Sequence, residues 1–336
     1  MIKNTRKIVV IGGGTGTYTV LSGLKKYPPD FLDLTAIVTV ADSGGSAGRL
    51  RDEFGYLPVG DFRQALVALA DDSEGSAILR DLFLHRFNKG TGLSGHNFGN
   101  LFLVALTDIA GSEEDAITLA SKVLRVRGRV LPVSKEKLTL VAEYENGVVV
   151  RGETHIDEPV EGHNGALRIN ELSVEPTTAE STKEARDALV EADCIIVGPG
   201  DLYTSTLAAL VVPGVREAIL RSRAHVVQIV NLMTKYGQTH GLSARGQVAE
   251  IVRYLGRSPD IVLMNNTALP RDMRARYESQ QEFPVVDDLA AGNGYAIVRD
   301  DFLAQEEIKK TSGDVLKRSL IRHDSDKLAR AIASLL

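Results

Sequence analysis

The chain has 336 residues, 43% of them hydrophobic, and carries 39 basic against 44 acidic side chains. It can bury a full core, and its slightly negative balance supplies no bulk attraction to nucleic acid or to an anionic membrane. The single cysteine, Cys194, excludes an internal disulfide or a multi-cysteine zinc site, and the seven histidines lack the spacing of metal ligands. No apolar run reaches the roughly 20 residues of a bilayer span, and the run after MIKNTRK is too short for a signal peptide, so a cytoplasmic protein is expected.

KIVVI, from Lys7 to Ile11, reads as a buried parallel strand, followed by the glycine loop GGGTG and a helix over about 18–26. TAIVTV, Thr35 to Val40, is a second buried strand, and the two make a βαβ unit. A helical stretch follows, with Asp61/Gln64 and Ser112/Asp115 placed as capping boxes and helical patterns near 74–87 and 97–110. From Val130 the period changes to two: LTLVAEY, the turn Asn146-Gly147, VVVRGE and RINELSV predict a small antiparallel insertion over 130–175.

The α/β alternation then resumes. Helices are expected near 180–191, 203–210, from Val215 and over 243–255, with strands at CIIV, AHVVQIVN, DIVLMNN and YAIV. SLIRHDSDKLARAIASLL reads as a short strand running into a helix. The fold class predicted is α/β: a Rossmann-like, doubly wound, mostly parallel sheet in one domain, 1–336, that carries the insertion.

Ligands of such sheets bind beyond the carboxyl ends of the strands, where helix N-termini present free amides. Those ends read Gly12 to Thr17, Asp42 to Gly48, Gly198 to Thr206, Asn231 to Thr234 and Asn265 to Thr267, all small and polar, so a polar cleft is expected there. The first loop is no dinucleotide fingerprint, because Thr17 and Thr19 stand where GxGxxG needs its last glycine, and no Gly-Lys pair exists for a P-loop. GGSAG, Gly44 to Gly48, matches GxSxG in form only, since Ser46 lies several residues past the strand end. Asp42 can accept hydrogen bonds from sugar hydroxyls or hold a cation. In GPGDLYTS, Asp201 either opposes a phosphate or serves only as a helix cap. His96 is the histidine best placed for proton transfer; Arg49, Arg51 and Arg63 are candidate phosphate clamps; Cys194 reads as a small buried hydrophobe.

GGGTG, DSGGSAGRLR, GDFRQALVALA, GHNFGNL, GPGDLYTS and NLMTKYGQT stand in the order and spacing of the bacterial gluconeogenesis factors, and the chain resembles that family along essentially its whole length. The family shares a superfamily with the 2-phospho-lactate transferases, which implies a CofD-like domain. The resemblance implies a cytoplasmic protein that binds a nucleotide sugar of the UDP-N-acetylglucosamine type, and a role in growth on gluconeogenic carbon sources, cell shape and peptidoglycan synthesis. It carries over as ligand-binding Gly12, Gly13, Gly14, Thr15 and Gly16; Asp42, Ser43, Gly44 and Gly45; Asn97, Gly99 and Asn100; Gly198, Pro199, Gly200, Tyr203 and Thr204; Asn231, Thr234 and Arg322. Ser325 is a candidate regulatory phosphosite at a helix start. Asp201, Lys235 and Gln238 depart from the family pattern.

Two functions follow as expectations. One is a sensor that passes ligand occupancy to cell-wall or metabolic regulatory proteins, with no resident cofactor and with homodimerisation open. The other is a transferase that moves a phosphorylated group from a nucleoside diphosphate donor to an acceptor hydroxyl, with Mg²⁺ on Asp42 or Asp61.

Overall fold

The computed structural model describes residues 5–158, 164–305 and 320–336. A seven-stranded parallel sheet forms its centre. The strands are β1 (Arg6–Gly12), β2 (Leu32–Val38), β3 (Arg129–Pro132), β7 (Cys194–Val197), β8 (His225–Ile229), β9 (Ile261–Asn265) and β10 (Ala296–Asp300), ordered β10-β9-β8-β7-β1-β2-β3. Ile8 to Ile11 of β1 are buried: β2 and β7 pair with its two edges, and helices pack against the strand itself. A continuous β-branched run therefore suits it.

The chain winds outward from β1 through β2 to β3, then returns to the other side of β1 and runs from β7 to β10. The switch point lies between β1 and β7. Connections there leave in opposite directions and open a crevice at the carboxyl ends.

Helices flank the sheet: α1 (Gly14–Leu24), α2 (Gly45–Phe54), α3 (Gly60–Leu69), α4 (Glu74–Leu84), α5 (Phe98–Ala110) and α6 (Glu113–Val123) precede the insertion. After it come α8 (Lys183–Glu191), a π-helical turn Leu202–Thr206 running into α9 (Leu207–Leu210), α10 (Val215–Arg221), α11 (Ala244–Leu255), α12 (Arg271–Glu278) and α13 (Ser325–Ser334). Ser112 caps α6 by accepting the Asp115 amide, as its capping-box pattern predicts. Asp61 does not cap its own helix: α3 starts two residues earlier than that capping box predicts, after Val59, and the Asp61 carboxylate reaches across to α1. The first helix begins at Gly14, four residues ahead of the expected start, so its N-terminus lies inside the glycine loop. Likewise Gly45 to Gly48, expected as loop, is the first turn of α2.

The antiparallel sheet holds β4 (Thr139–Tyr144), β5 (Val149–Arg151) and β6 (Ile169–Glu175) in the order β5-β4-β6, with the short helix α7 (Glu153–Asp157) beside it. Its expected boundary at residue 130 moves, because β3 pairs in parallel with β2 and belongs to the large sheet. Two tyrosines fasten it to the large sheet's loops and helices. The buried Tyr144 hydroxyl donates to the Gly237 carbonyl at 3.0 Å, and the Leu172 amide donates to the Tyr254 hydroxyl at 2.8 Å. The short strand expected before α13, from Ser319, begins outside the described residues; among the described residues of that stretch, His323 forms an isolated bridge with Leu303. No helix among the described residues is long and apolar enough to cross a membrane.

Candidate functional site

A cleft of about 640 Å³ opens at the switch point. One wall is glycine loop: Gly13 to Gly16 after β1, Asp42, Gly44 and Gly45 after β2, and Pro199 to Asp201 after β7. A second is α7, which contributes Glu153, Thr154 and Asp157. The far end is formed by Asn231 to Lys235 after β8, by Arg276, Tyr277, Gln280 and Glu282 in and after α12, and by Leu320 to His323 ahead of α13.

Several glycines serve internal contacts. A Cβ on Gly13 would overlap the Asp61 carboxylate, one on Gly16 the Pro199 carbonyl, one on Gly60 the Asp42 carboxylate and one on Gly48 the Ser43 carbonyl. These glycines let neighbouring loops close on one another. Gly14 differs: its φ of +63° needs glycine, and a Cβ there would meet only Ser205 Oγ, at 3.7 Å. The Gly14 amide, the first of α1, donates to Asp61 Oδ1 at 2.8 Å, and the Gly44 amide donates to Asp42 Oδ1 at 2.8 Å. The next amides of α1, on Thr15 and Gly16, have no acceptor within the helix, and both residues line the cleft at its first turn.

Asn231 holds the β7 loop in place. Its Oδ1 accepts the Gly200 amide at 3.2 Å while its Nδ2 donates to the Gly200 carbonyl at 2.7 Å. Thr234 pairs with Phe283, donating from its amide at 2.7 Å and accepting the Phe283 amide on Oγ1 at 2.9 Å.

A polar network closes the α7 side. Lys235 Nζ donates to Asp157 Oδ1 and, at 2.9 Å, to Asp201 Oδ2. Gln238 Nε2 donates to Asp157 Oδ1 at 2.8 Å, and Thr204 Oγ1 donates to it at 3.3 Å. Asp201, expected as a possible cap, makes no side-chain cap and is instead an ion-pair partner. Burial opposes the charge on Lys235, but Asp201 and Asp157 outweigh it and hold the ammonium above its ordinary range. Burial and the Asp201 carboxylate push Asp157 up to about 6. Burial, then Asp42, Asp157 and Asp61, push Glu153 well above the usual carboxylate range.

Of the predicted ligand residues, Gly13 to Gly16, Asp42, Gly44, Gly45, Pro199, Gly200, Thr204, Asn231, Thr234 and Arg322 line the cleft. Gly12, Ser43, Gly198 and Tyr203 stand behind its wall. Ser43 Oγ is bonded to the Thr154 hydroxyl and accepts the Thr154 amide, both at 3.0 Å, which docks α7 on the β2 loop. Tyr203 is buried, and its hydroxyl donates to Glu250 at 3.1 Å.

Asn97, Gly99 and Asn100 do not reach the cleft. Asn97 caps α5, Asn100 accepts Arg63 Nε at 2.9 Å, and Gly99 leaves room for the Phe83 carbonyl and the Arg63 stem. Arg63 is therefore buried between α3 and α5 and is no phosphate clamp in this arrangement. Arg49 donates to the Ser94 carbonyl, and Arg51 pairs with Asp52; neither lines the cleft.

His96 and Ser46 do meet, with Nδ1 and Oγ 3.2 Å apart. Ser46 Oγ also accepts the Asn97 amide and Asn100 Nδ2, so its hydrogen is left for the imidazole. The serine is buried and fully bonded, which makes the pair a clasp between α2 and α5. Burial, then Arg49, hold His96 below its ordinary pKa.

Ser325 is the first residue of α13, half-buried, with its carbonyl packed on Gly23. Asp324 already accepts the Asp326 and Lys327 amides there at 2.9 Å. Cys194 is buried in β7, which pushes its thiol up to about 12. Among the described residues no group of three or more His, Cys, Asp or Glu side chains is arranged to hold a metal ion. Asp42 and Asp61 are the carboxylates that could join ligand phosphates around Mg²⁺, which binds in this mixed way.

The contributions of α7 and α12 carry no motif and are not expected from the sequence, and of the Leu320–His323 segment only Arg322 is. GETHID reads as the end of a hairpin, and only its three acidic or hydroxyl side chains, Glu153, Thr154 and Asp157, hint at a site.

A parallel sheet with a polar crevice at the switch point, walled by glycine loops and an antiparallel insertion, defines the class. The family model for 2-phospho-L-lactate transferase CofD matches residues 8–303. The chain belongs to this family, and its similar relatives in it include gluconeogenesis factors. It is 40% identical to the gluconeogenesis factor of Bacillus subtilis, over 98% of both chains, and 40% identical to that of Halalkalibacterium halodurans, over 97% of this chain and 95% of the relative. A crystal structure of a Bacillus halodurans protein superposes with a TM-score of 0.87 at 38% identity, covering 98% of this chain and 99% of the other.

Proposed function

We propose that the cleft binds a nucleotide sugar of the UDP-N-acetylglucosamine type, and that the protein is a cytoplasmic regulatory factor. In this reading it reports the ligand to cell-wall or metabolic partners and supports growth on gluconeogenic carbon sources and normal cell shape.

The observation that carries the reading is the division of the cleft. The glycine-loop side offers the first-turn amides of α1, which suit a phosphate. The α7 side offers carboxylates, an ammonium and hydroxyls, the groups that hydrogen-bond sugar hydroxyls. Leu232, Met233, Tyr277, Leu320 and Ile321 supply an apolar end on which a base can lie, flanked by Arg276 and Arg322.

Calorimetric titration with UDP-N-acetylglucosamine, followed by product analysis at millimolar Mg²⁺, tests it. The expected result is saturable binding with the nucleotide sugar recovered intact. Release of UMP or UDP above a buffer control would replace the sensor by the group-transfer reading, in which Asp42 and Asp61 would hold Mg²⁺. Gly14→Val should abolish binding with the circular dichroism preserved, because the branched side chain strains the first turn of α1 at a position open to the cleft. Unchanged affinity would move the ligand away from this loop.

A further inference from the structure

The first-turn amides of α1 are the natural seat for a phosphate, and one of them is already taken. Asp61 Oδ1 accepts the Gly14 amide at 2.8 Å, and Gly13 leaves room for the rest of that carboxylate. Asp61 itself is the second residue of α3, so its charge sits between the positive ends of two helices. It is buried and lines the cleft. It also helps push the neighbouring Glu153 toward its neutral form, a second sign that its negative charge acts inside the site.

We propose that Asp61 is a built-in counter-anion of the nucleotide site: its carboxylate occupies the place a ligand phosphate would take on α1 and thereby restrains diphosphate binding. The inference rests on the nucleotide-sugar reading above. A diphosphate arriving at Thr15 and Gly16 lands beside this fixed negative charge, and like charges brought together at a binding site cost heavily. Asp61 is thus a specificity-determining residue, one that penalises the most highly charged ligands most. UDP, with its free terminal phosphate, meets more repulsion than UDP-N-acetylglucosamine, whose second phosphate is esterified. The site is tilted toward the nucleotide sugar and away from its own breakdown product.

Asp61→Asn separates charge from shape, since the amide oxygen still accepts the Gly14 N–H. Equilibrium titrations in EDTA with UDP and with UDP-N-acetylglucosamine should show the variant binding UDP at least about tenfold more tightly than the wild type, with a smaller gain for the nucleotide sugar. Asp61→Ala, which also frees the Gly14 amide, should gain at least as much for UDP; circular dichroism checks that both variants fold. Equal or weaker UDP binding by both folded variants in EDTA overturns the inference. So does weaker binding by Asp61→Asn that appears only when Mg²⁺ is added, which would make Asp61 a cation holder instead. If wild type and variants all fail to bind either ligand, with or without Mg²⁺, the nucleotide-sugar reading falls and this inference with it. Binding by the wild type that is indifferent to Asp61 sinks the inference alone.

Discussion

Gly14 and Gly16 stand two residues apart in one loop and are required for different reasons. Gly14 has a left-handed φ and open space where a Cβ would be, whereas Gly16 lies against the Pro199 carbonyl. Gly14→Ala should therefore cost only the backbone penalty of about 1–2 kcal/mol. Gly16→Ala must push two loops apart and should reach the upper end of the roughly 1–3 kcal/mol of an overpacked core. Urea unfolding of the two variants checks the order, and a larger loss at Gly14 would contradict the packing described. His323 adds a pH dependence. Burial holds its imidazole at about 4, below the ordinary 6.5, so the folded protein refuses a proton that the unfolded chain accepts. Its contribution is complete above pH 6.5 and is lost as the pH falls toward 4, by ~3 kcal/mol. His323→Gln should lose less stability than the wild type between about pH 7 and 4.5 in thermal unfolding. Equal losses would mean that the histidine is not held neutral.

At the scale of elements, the cleft depends on α7 staying fixed to the loops after β7 and β8. Lys235 ties Asp157 of α7 to Asp201 of the β7 loop, and its neighbour Gln238 reaches both Asp157 and Thr204. Lys235→Met leaves two carboxylates facing each other and should destabilise by up to about 3 kcal/mol. Combined with Asp201→Asn it should recover part of that loss, a coupling of at least about 0.5 kcal/mol in a double-mutant cycle. Strict additivity would show that the two residues act separately. This network marks the limit of what can be read from order along the chain. Asp201 and Lys235 each read alone as departures from the family pattern, and only the fold brings their charges together. The strands of the large sheet, β3 excepted, are legible, because a β-branched run bounded by glycine carries its own burial signature. So are the loops at their carboxyl ends. What stayed hidden was which side chains those loops admit: the Asp61 carboxylate on Gly14, or Arg63 turned inward onto Asn100, pairs 47 and 37 residues apart that no local periodicity records.

At the scale of the whole molecule, the winding order creates the site. The chain leaves β1 in one direction and returns on its other side at β7, and the crevice between their carboxyl ends is the cleft. The antiparallel sheet, fastened through Tyr144 and Tyr254, holds α7 over it as a standing wall. A ligand that fills the cleft touches the large sheet's loops, the insertion and the segment before α13 together. Saturating UDP-N-acetylglucosamine should therefore raise the unfolding temperature, and Tyr144→Phe, by loosening the insertion, should cost about 1 kcal/mol of stability and weaken ligand binding with it. The most direct measurement is a crystal structure with UDP-N-acetylglucosamine. The account predicts its diphosphate at the first turn of α1, its sugar toward α7 and its base toward Tyr277 and Met233. Density for the ligand at any other surface, with this cleft left to solvent, would contradict it.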